Sequence, residues 1–525
     1  MEFLEKISPR EYQQKIFETC TRKNCLVVLP TGLGKTMIAL MLAVERMKKF
    51  PGEKVVFLAP TRPLAEQHLS YFNKNLPELF GSLELFTGDV PSEKRQEIWE
   101  TADIVFSTPQ CVANDIEKGL YNVEDVCLLI EDEAHRCFRN YSYNYVAKKY
   151  IETSKHSRIL GLTASPGADI GKIKEICENL SIEEVELRTR ESPDVAPYLQ
   201  ELKFEKVMLE LPEEYKKIRD ALLRLFNSYV GELRNRKVFF GIPTKTELIN
   251  LQKRLMLSIL RGNKNFNNLL ASSACAQAVK LQHALELLET QTIQGFNKYL
   301  KELMNQAAKK QNKGVVRLVS KPEFSFAFSL SSKLLAEEKE HPKLEALGKI
   351  IEKEFQKNEK AKIIVFSQFR ETARIICKTL NSLNGVKAKI FIGQAKKAVV
   401  DSVSKDKEIL GLSQKEQKKI INEFSNGEIN VLCATSIGEE GLDIPEVNVV
   451  VFYEPVASAI RAIQRAGRTA RLMKGKLIML ITRKTRDEAY FYASRAKEKK
   501  MHSAIHSIKE KLKNGEEEDF QKTLK

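Results

Sequence analysis

No stretch of this chain comes near the ~18 consecutive apolar residues a membrane-spanning helix requires, and Met1-Glu2-Phe3-Leu4-Glu5-Lys6 lacks the basic start and apolar run of a secretory signal. The expected setting is intracellular and cytoplasmic, with no membrane partner. Its nine cysteines include no Cys-x-x-Cys pair, and the nearest two, Cys20 and Cys25, are poorly spaced for zinc. They are expected to be reduced, mostly buried thiols. His502 and His506 lie one helical turn apart without the Glu of a metalloprotease helix, which fits a solvated face.

At 525 residues the chain is long enough for roughly three domains of about 150 residues. Hydrophobic residues at 43% and charged ones at 29% suit a folded globular protein. Lys and Arg number 85 against 69 Asp and Glu, a net charge of +16 that attracts polyanions, nucleic acid first among them. A surface charged for solubility, or for a hot habitat, is the alternative.

From Cys25 to Ser165 short apolar runs alternate with helix-period stretches: Cys25–Leu29, Lys54–Leu58, Asp103–Phe106, Val126–Ile130 and Arg158–Leu162. Unbroken Val/Ile/Leu runs suit strands buried on both faces of a parallel sheet. The rhythm returns in Lys362–Phe366, Ala388–Ile392, Asn430–Cys433, Val447–Phe452 and Lys476–Leu480, predicting a second α/β domain. Between them the pattern is helical. A Thr244/Glu247 capping box precedes a stripe of Leu248, Leu251, Leu255 and Ile259, and a second box, Ser413/Glu416, opens a helix beyond a Lys-rich loop from Gln394 to Gly411. The boundaries read as 1–190 for the first α/β domain, 191–210 for a crossing segment, 211–335 for a helical insert and 336–525 for the second α/β domain, whose charged tail from Lys509 is expected to fray.

The first apolar run ends in Leu29-Pro30-Thr31-Gly32-Leu33-Gly34-Lys35-Thr36. Gly32 and Gly34 permit a tight turn that aims backbone N–H groups and a helix N-terminus at phosphate. Lys35 would meet the β- and γ-phosphates of a nucleotide, and Thr36 would ligate Mg²⁺. Leu29 stands where the general phosphate-loop pattern has its first Gly. Downstream, Leu128-Leu129-Ile130-Glu131-Asp132-Glu133-Ala134-His135 places carboxylates at the end of a buried strand. Asp132 can hold the Mg²⁺ shell, and Glu133 can orient and deprotonate an attacking water. The charge of Glu131 would burden such a site unless the side chain turns away or meets a cation.

In type and order, Pro30–Thr36, Asp132-Glu133-Ala134-His135, Thr163-Ala164-Ser165 and Gln464-Arg465-Ala466-Gly467-Arg468-Thr469-Ala470-Arg471 resemble motifs I, II, III and VI of superfamily 2 helicases, with the DEAH spelling of motif II. The resemblance spans nearly the whole chain. It implies two RecA-like parallel-sheet motor domains with an all-helical domain inserted between them, and ATP with Mg²⁺ as cofactors. It also implies that Arg10 and Gln13 belong to an adenine-reading Q motif, that Pro30, Thr31, Gly32, Leu33, Gly34, Lys35 and Thr36 cradle the phosphates, and that Arg468 and Arg471 are arginine fingers. Gln464 would then link γ-phosphate chemistry to domain closure. Ala470 stands where many relatives have Gly, so its methyl group would crowd the cleft. In Ala434–Pro445, similar to motif V, Thr435 and Ser436 would reach the strand backbone, and Gly441 and Asp443 the nucleotide. Thr61 and Arg62 (motif Ia), Gly88, Thr108, and Ser367 with Gln368 (motif IV) would grip nucleic acid. Within the insert, Arg236 and Lys237, next to Phe239 and Phe240, and the segment Arg261–Phe266 could hold phosphates near rings that stack on bases, the alternative for each segment singly being a core aromatic beside a solvated charge.

The helical insert and the sequences Phe391–Gln394, Gly411–Gln417 and Ile437–Asp443 look most like the Hef branch, which includes the Fanconi anaemia M-type translocases and acts on forked and branched DNA. An archaeal source would place such a protein at the nucleoid. The expected partner is forked or branched DNA, and sliding-clamp or repair partners are not legible. No Glu-Arg-Lys-x-x-x-Asp nuclease signature is present, so cleavage is not expected. Two other readings stand beside this one. One is a double-stranded RNA-dependent ATPase of the innate-sensor or Dicer type, and the other a non-catalytic ATP-sensing clamp suggested by Ala470 and Glu131.

Overall fold

The computed structural model describes residues 8–77, 80–139, 141–167, 169–263, 265–393, 411–435, 444–456 and 475–513. Among these, apolar runs become strands of two parallel sheets. The first holds β1 (Cys25–Val28), β2 (Lys54–Leu58), β3 (Leu83–Phe86), β4 (Ile104–Ser107), β5 (Val126–Asp132), β6 (Ile159–Thr163) and β7 (Glu184–Leu187), in the order β3-β4-β2-β5-β6-β1-β7. The second holds β8 (Leu202–Leu209), β9 (Ile363–Phe366), β10 (Ala388–Phe391), β11 (Val431–Ala434), β12 (Val449–Phe452) and β13 (Gly475–Thr482), in the order β10-β11-β9-β12-β13-β8. Every residue of β1, β4, β5, β6, β9, β11 and β12 is buried, as expected of central strands covered on both faces.

Helices α1 (Glu11–Arg22), α2 (Lys35–Lys49), α3 (Arg62–Asn75), α4 (Ser92–Thr101), α5 (Pro109–Glu117), α6 (Ser142–Thr153) and α7 (Ile170–Asn179) accompany the first sheet. The insert comprises α8 (Glu213–Asn235), α9 (Lys245–Leu260), α10 (Phe266–Thr290), α11 (Ile293–Ala308), α12 (Lys313–Val319) and α13 (Pro322–Ala336), which share one apolar core. The second sheet carries α14 (Pro342–Lys357), α15 (Arg370–Leu380) and α16 (Gln414–Asn426), and α17 (Arg486–Lys513) closes the described chain.

Both predicted caps start helices, with one difference. Ser413 and Glu416 exchange both capping hydrogen bonds at α16. At α9 the Thr244 hydroxyl accepts from the Glu247 N–H, but the Thr244 N–H donates to the Ile242 carbonyl, so Glu247 does not complete a box. All nine cysteines are free and buried. The Lys-rich segment lies outside the described residues from 394 to 410. Helix α17 runs through the start of the charged tail, where Leu512 still packs on a core, and 514–525 lie outside the described residues.

Two chain crossings tie the parts together. The crossing segment contains β8, which pairs in parallel with all eight residues of β13 at the edge of the second sheet. Helix α17 returns the other way: Met501, Ala504, Ile505 and Ile508 join the core of the first domain, and the Ser165 hydroxyl lies 2.8 Å from the Met501 sulfur. The insert is anchored to the second sheet through a buried polar knot. There Lys343 Nζ sits 2.5 Å from Asp487 Oδ2 and donates to the Thr290 carbonyl at 3.1 Å, while Arg486 meets Glu289 at 2.7 Å.

His341, fully buried in this knot, is held in its neutral form. Its Nδ1 accepts from the Lys343 N–H at 3.3 Å and its Nε2 faces the Glu289 carbonyl at 3.2 Å, which one neutral tautomer satisfies. Burial, then the Lys343 charge, push its pKa well below the usual histidine value. Because the unfolded chain takes up a proton near pH 6.5 that the folded chain refuses, stability should fall as the pH drops below about 6.5, by up to ~1.4 kcal/mol per pH unit from this group. Denaturant unfolding of His341→Gln between pH 5 and 8 should show a flatter slope than wild type; identical slopes would rule the effect out.

Candidate nucleotide site and nucleic-acid face

Parallel strands bring their carboxyl ends to one sheet edge, and that edge gathers the chemistry. The turn after β1 leads into α2 through Gly32 and Gly34, both in the left-handed region at φ 87 and 81. Gly34 is the N-cap of α2, and a Cβ there would lie 2.2 Å from Gln13 Nε2, so no larger residue fits without displacing Gln13. The Gln13 Nε2 and the Tyr12 hydroxyl both donate to the Leu33 carbonyl, at 3.1 and 2.8 Å, and the Arg10 N–H donates to Gln13 Oε1 at 2.9 Å. Helix α1 is thereby fastened to the phosphate loop by the residues of the Q-type segment. Lys35 Nζ donates to the Leu29 carbonyl at 2.8 Å, across the mouth of the loop.

At the end of β5, Asp132 is 5% exposed and faces this loop. Burial alone would raise its pKa, but the hydrogen bond from His68, with the Lys35 charge and the Glu133 N–H, holds it below the usual carboxylate value. Glu133 takes a left-handed backbone, φ 53, which turns the chain into the short helix at Ala134 and sets its Oε2 3.2 Å from His135 Nδ1. His135 Nδ1 also lies 3.3 Å from the Thr163 hydroxyl, which accepts from the Ser165 N–H, so the DEAH segment is joined to Thr163-Ala164-Ser165. The Tyr143 hydroxyl donates to the Asp132 carbonyl at 2.7 Å, bracing the turn from behind.

Glu131 turns away, as the strand's alternation requires. It is fully buried on the opposite face, accepts from the Cys137 thiol at 3.0 Å, and burial pushes its pKa up to about 8, so it carries a proton at neutral pH. Its charge therefore does not burden the site.

His68, on α3, is the residue that the sequence reading missed. Its Nε2 lies 2.8 Å from Asp132 Oδ2 and its Nδ1 3.4 Å from Thr36 Oγ1. Nothing in local spacing marks it; only the packing of α3 over β3 and β4, with the His68 ring against Phe57 of β2, brings it between the phosphate loop and the carboxylate.

The predicted strand-contacting residues divide into several groups. Thr61 and Thr108 are the N-caps of α3 and α5, and Gly88 is exposed just past β3, so all three stand at the same sheet edge as the phosphate loop. Arg62 is paired with Asp89 and, at 2.8 Å, with Glu66, which in turn meets Lys418 of α16 at 2.6 Å. In the second domain Gln368 is exposed, whereas Ser367 is fully buried and Thr435 nearly so. In the insert Lys237 is exposed; Arg236 is held by Glu232 at 3.0 Å and by Asn267 at 3.2 Å, which draws its segment to the start of α10. Phe240 and Phe266 stand out at 78% and 76% exposed, while Phe239 is core. Gln464, Arg468, Arg471, Ser436, Gly441 and Asp443 lie outside the described residues. A cleft of about 840 Å³, lined by His135, Lys245, Gln368 and Arg486 among others, separates the first domain, the insert and the second domain.

Two parallel-sheet domains, a phosphate loop beside a DEAH segment and a helical bundle between the sheets define an ATP-hydrolysing helicase of superfamily 2. Models of the DEAD/DEAH box helicase, of the helicase conserved C-terminal domain and of a "Putative ATP-dependent RNA helicase, helical bundle" match residues 10–173, 342–473 and 214–340. The crystal structure of the Pyrococcus furiosus Hef helicase domain is 41% identical and superposes with a TM-score of 0.71 over 94% of this chain and 99% of that one. Three curated relatives are also similar. "Putative ATP-dependent RNA helicase MJ1505" of Methanocaldococcus jannaschii is 39% identical over 94% of this chain and 60% of its own length. The mouse "Fanconi anemia group M protein homolog" is 30% identical over 96% and 26%, and "Putative ATP-dependent DNA helicase fml2" of Schizosaccharomyces pombe 32% over 92% and 62%. The chain belongs to the Hef and Fanconi anaemia M type of superfamily 2 helicases. It spans 60% or less of the length of the first two of these curated relatives. No helix among the described residues is long and apolar enough to cross a membrane.

Proposed function

We propose that this chain is an ATP-dependent DNA translocase that works on forked and branched DNA in the cytoplasm. The observation that carries the motor half is the gathering of Gly34, Lys35, Thr36 and Asp132 with the strand-end residues Thr61, Gly88 and Thr108 at one sheet edge. The left-handed turn at Gly32 and Gly34, where a Cβ on Gly34 would strike Gln13, fits a polyphosphate approached by backbone N–H groups.

In this reading Pro30, Thr31, Gly32, Leu33 and Gly34 shape the phosphate cradle, and Arg10 and Gln13 border the base. Lys35 leaves the Leu29 carbonyl for the β- and γ-phosphates. Thr36 and Asp132 would hold Mg²⁺, which would neutralise developing phosphate charge. Glu133 orients the attacking water and takes its proton, with His135 joining that carboxylate to Thr163 and Ser165. Gln464, Arg468 and Arg471, with Gly441 and Asp443, complete the pocket from the second domain; arginine fingers of this kind contribute about 10³ to 10⁵ in rate. Thr61, Arg62, Gly88, Thr108, Gln368 and Ser436 track the strand, whereas Ser367 and Thr435, expected to do so, are buried and support it from behind. In the insert, Lys237 rather than the engaged Arg236 meets phosphate, beside the exposed ring of Phe240.

The DNA half is supported by the name of the fission-yeast relative and by the resemblance to Hef. The names of MJ1505 and of the helical-bundle model favour RNA, which keeps a duplex-RNA reading alive. Phosphate release measured with single-stranded, duplex, forked and four-way DNA and with duplex RNA separates them. Forked and four-way DNA should stimulate most; stronger stimulation by duplex RNA would replace the DNA reading, and no release with any strand would favour a non-catalytic clamp.

A further inference from the structure

We propose that His68 is a positioning residue that keeps Thr36 and Asp132 tied together until a nucleic-acid strand is gripped at the N-terminus of its own helix. The inference rests on the nucleotide-site reading above and adds the regulation of that site.

The imidazole is 5% exposed and spans the two groups assigned to the metal. One neutral tautomer serves both: Nε2–H donates to Asp132 Oδ2 at 2.8 Å, and Nδ1 accepts from the Thr36 hydroxyl at 3.4 Å. The ring is tilted against Phe57 of β2, centroids 4.3 Å apart, so it has little room to turn while α3 stays in place. Both groups are thus occupied by the same side chain, and for them to close on a metal ion, His68 has to give way.

Helix α3 supplies the means. Its N-cap is Thr61, and from there to His68 is seven residues, or ~10 Å of rigid helix. At that first turn Arg62 is engaged by Asp89 and Glu66, and Glu66 is held from the second domain by Lys418. A strand phosphate arriving at Thr61 and Arg62 competes with these two carboxylates for the guanidinium, because phosphate offers the same bidentate pairing. It thereby frees Glu66 Oε1 from Arg62 and leaves that carboxylate tied to Lys418 of the second domain through Oε2 alone. A small shift of α3 then withdraws the ring from between Thr36 and Asp132. Strand binding and metal-nucleotide binding are coupled through one helix, and by linkage the coupling runs both ways.

Binding of a fluorescent non-hydrolysable ATP analogue with Mn²⁺, titrated with and without single-stranded DNA, tests this on wild type, His68→Ala and Glu66→Gln. The expected result is that His68→Ala binds the metal-nucleotide several-fold more tightly than wild type without DNA, while the DNA-bound affinities agree. The ratio of DNA-stimulated to DNA-free phosphate release should fall correspondingly. Glu66→Gln, at the solvent end of the helix, should move in the same direction. If His68→Ala leaves DNA-free affinity unchanged or weakens it, or if Glu66→Gln changes nothing while wild-type binding is stimulated, the proposal is overturned. Lys35→Ala distinguishes the two levels. Undiminished nucleotide affinity in that variant overturns the site itself, whereas lost affinity there with an unchanged His68→Ala ratio overturns only the role of His68.

Discussion

Glu133→Gln is expected to lower DNA-stimulated phosphate release by about 10² to 10⁴ while leaving nucleotide binding within a few-fold of wild type. The replacement preserves size and one hydrogen-bonding oxygen but removes the proton acceptor. Its backbone, at φ 53, belongs to the turn that carries the chain from β5 into the DEAH helix, and that turn is braced by Tyr143 on the Asp132 carbonyl and by the main-chain bonds of Ala134 and Cys137. Geometry should therefore survive and only the chemistry fail. Lys35→Ala should fail differently, losing affinity as well as rate, because the ammonium that spans the loop mouth is assigned to the phosphates. Single-turnover release under saturating nucleotide separates the two. Release by Glu133→Gln within about tenfold of wild type would remove that carboxylate from the role of base.

The second large effect concerns stability. Lys343→Met should cost about 3–5 kcal/mol, because it leaves Asp487 as a buried carboxylate without its cation. Both side chains are fully buried, 2.5 Å apart, and the ammonium also serves the Thr290 carbonyl at the end of α10. Asp487 retains the Thr482 N–H at 3.0 Å, which cannot replace a charge. Burial already raises the Asp487 pKa against the pull of Lys343, so in the variant this carboxyl binds a proton more readily still. The destabilisation should therefore shrink as the pH falls and the lone acid is neutralised. The double variant Lys343→Met with Asp487→Leu should recover most of the loss. Urea unfolding at pH 5 and pH 8 measures all three, and a loss below about 1 kcal/mol at pH 8 would contradict the role assigned to the pair. Because this knot joins α10 of the insert to α14 and α17, the insert should travel with the second domain when the cleft closes.

The central strands were legible, and of the four edge strands only β10 was. The Val/Ile/Leu runs of β1, β5, β9 and β12 are buried on both faces and so are apolar at every position. The three strands without such a run, β3, β7 and β8, all lie at sheet edges, where Glu84, Glu184, Glu186, Lys203, Glu205 and Lys206 interrupt the apolar pattern because one side meets solvent or a partner charge. A search for unbroken runs passes over them for the same physical reason that they make good edges.

The amino-acid order by itself determined the phosphate loop, the DEAH carboxylates and the caps of α9 and α16, because each depends on contacts within a few residues of chain. Only the tertiary structure decided that Glu131 faces away into a proton-holding niche, that His68 reaches across to Thr36 and Asp132, and that α17 leaves the second domain to finish in the core of the first. Those outcomes depend on which face of an element meets which neighbour. That is a property of packing between segments up to several hundred residues apart, and no local pattern encodes it.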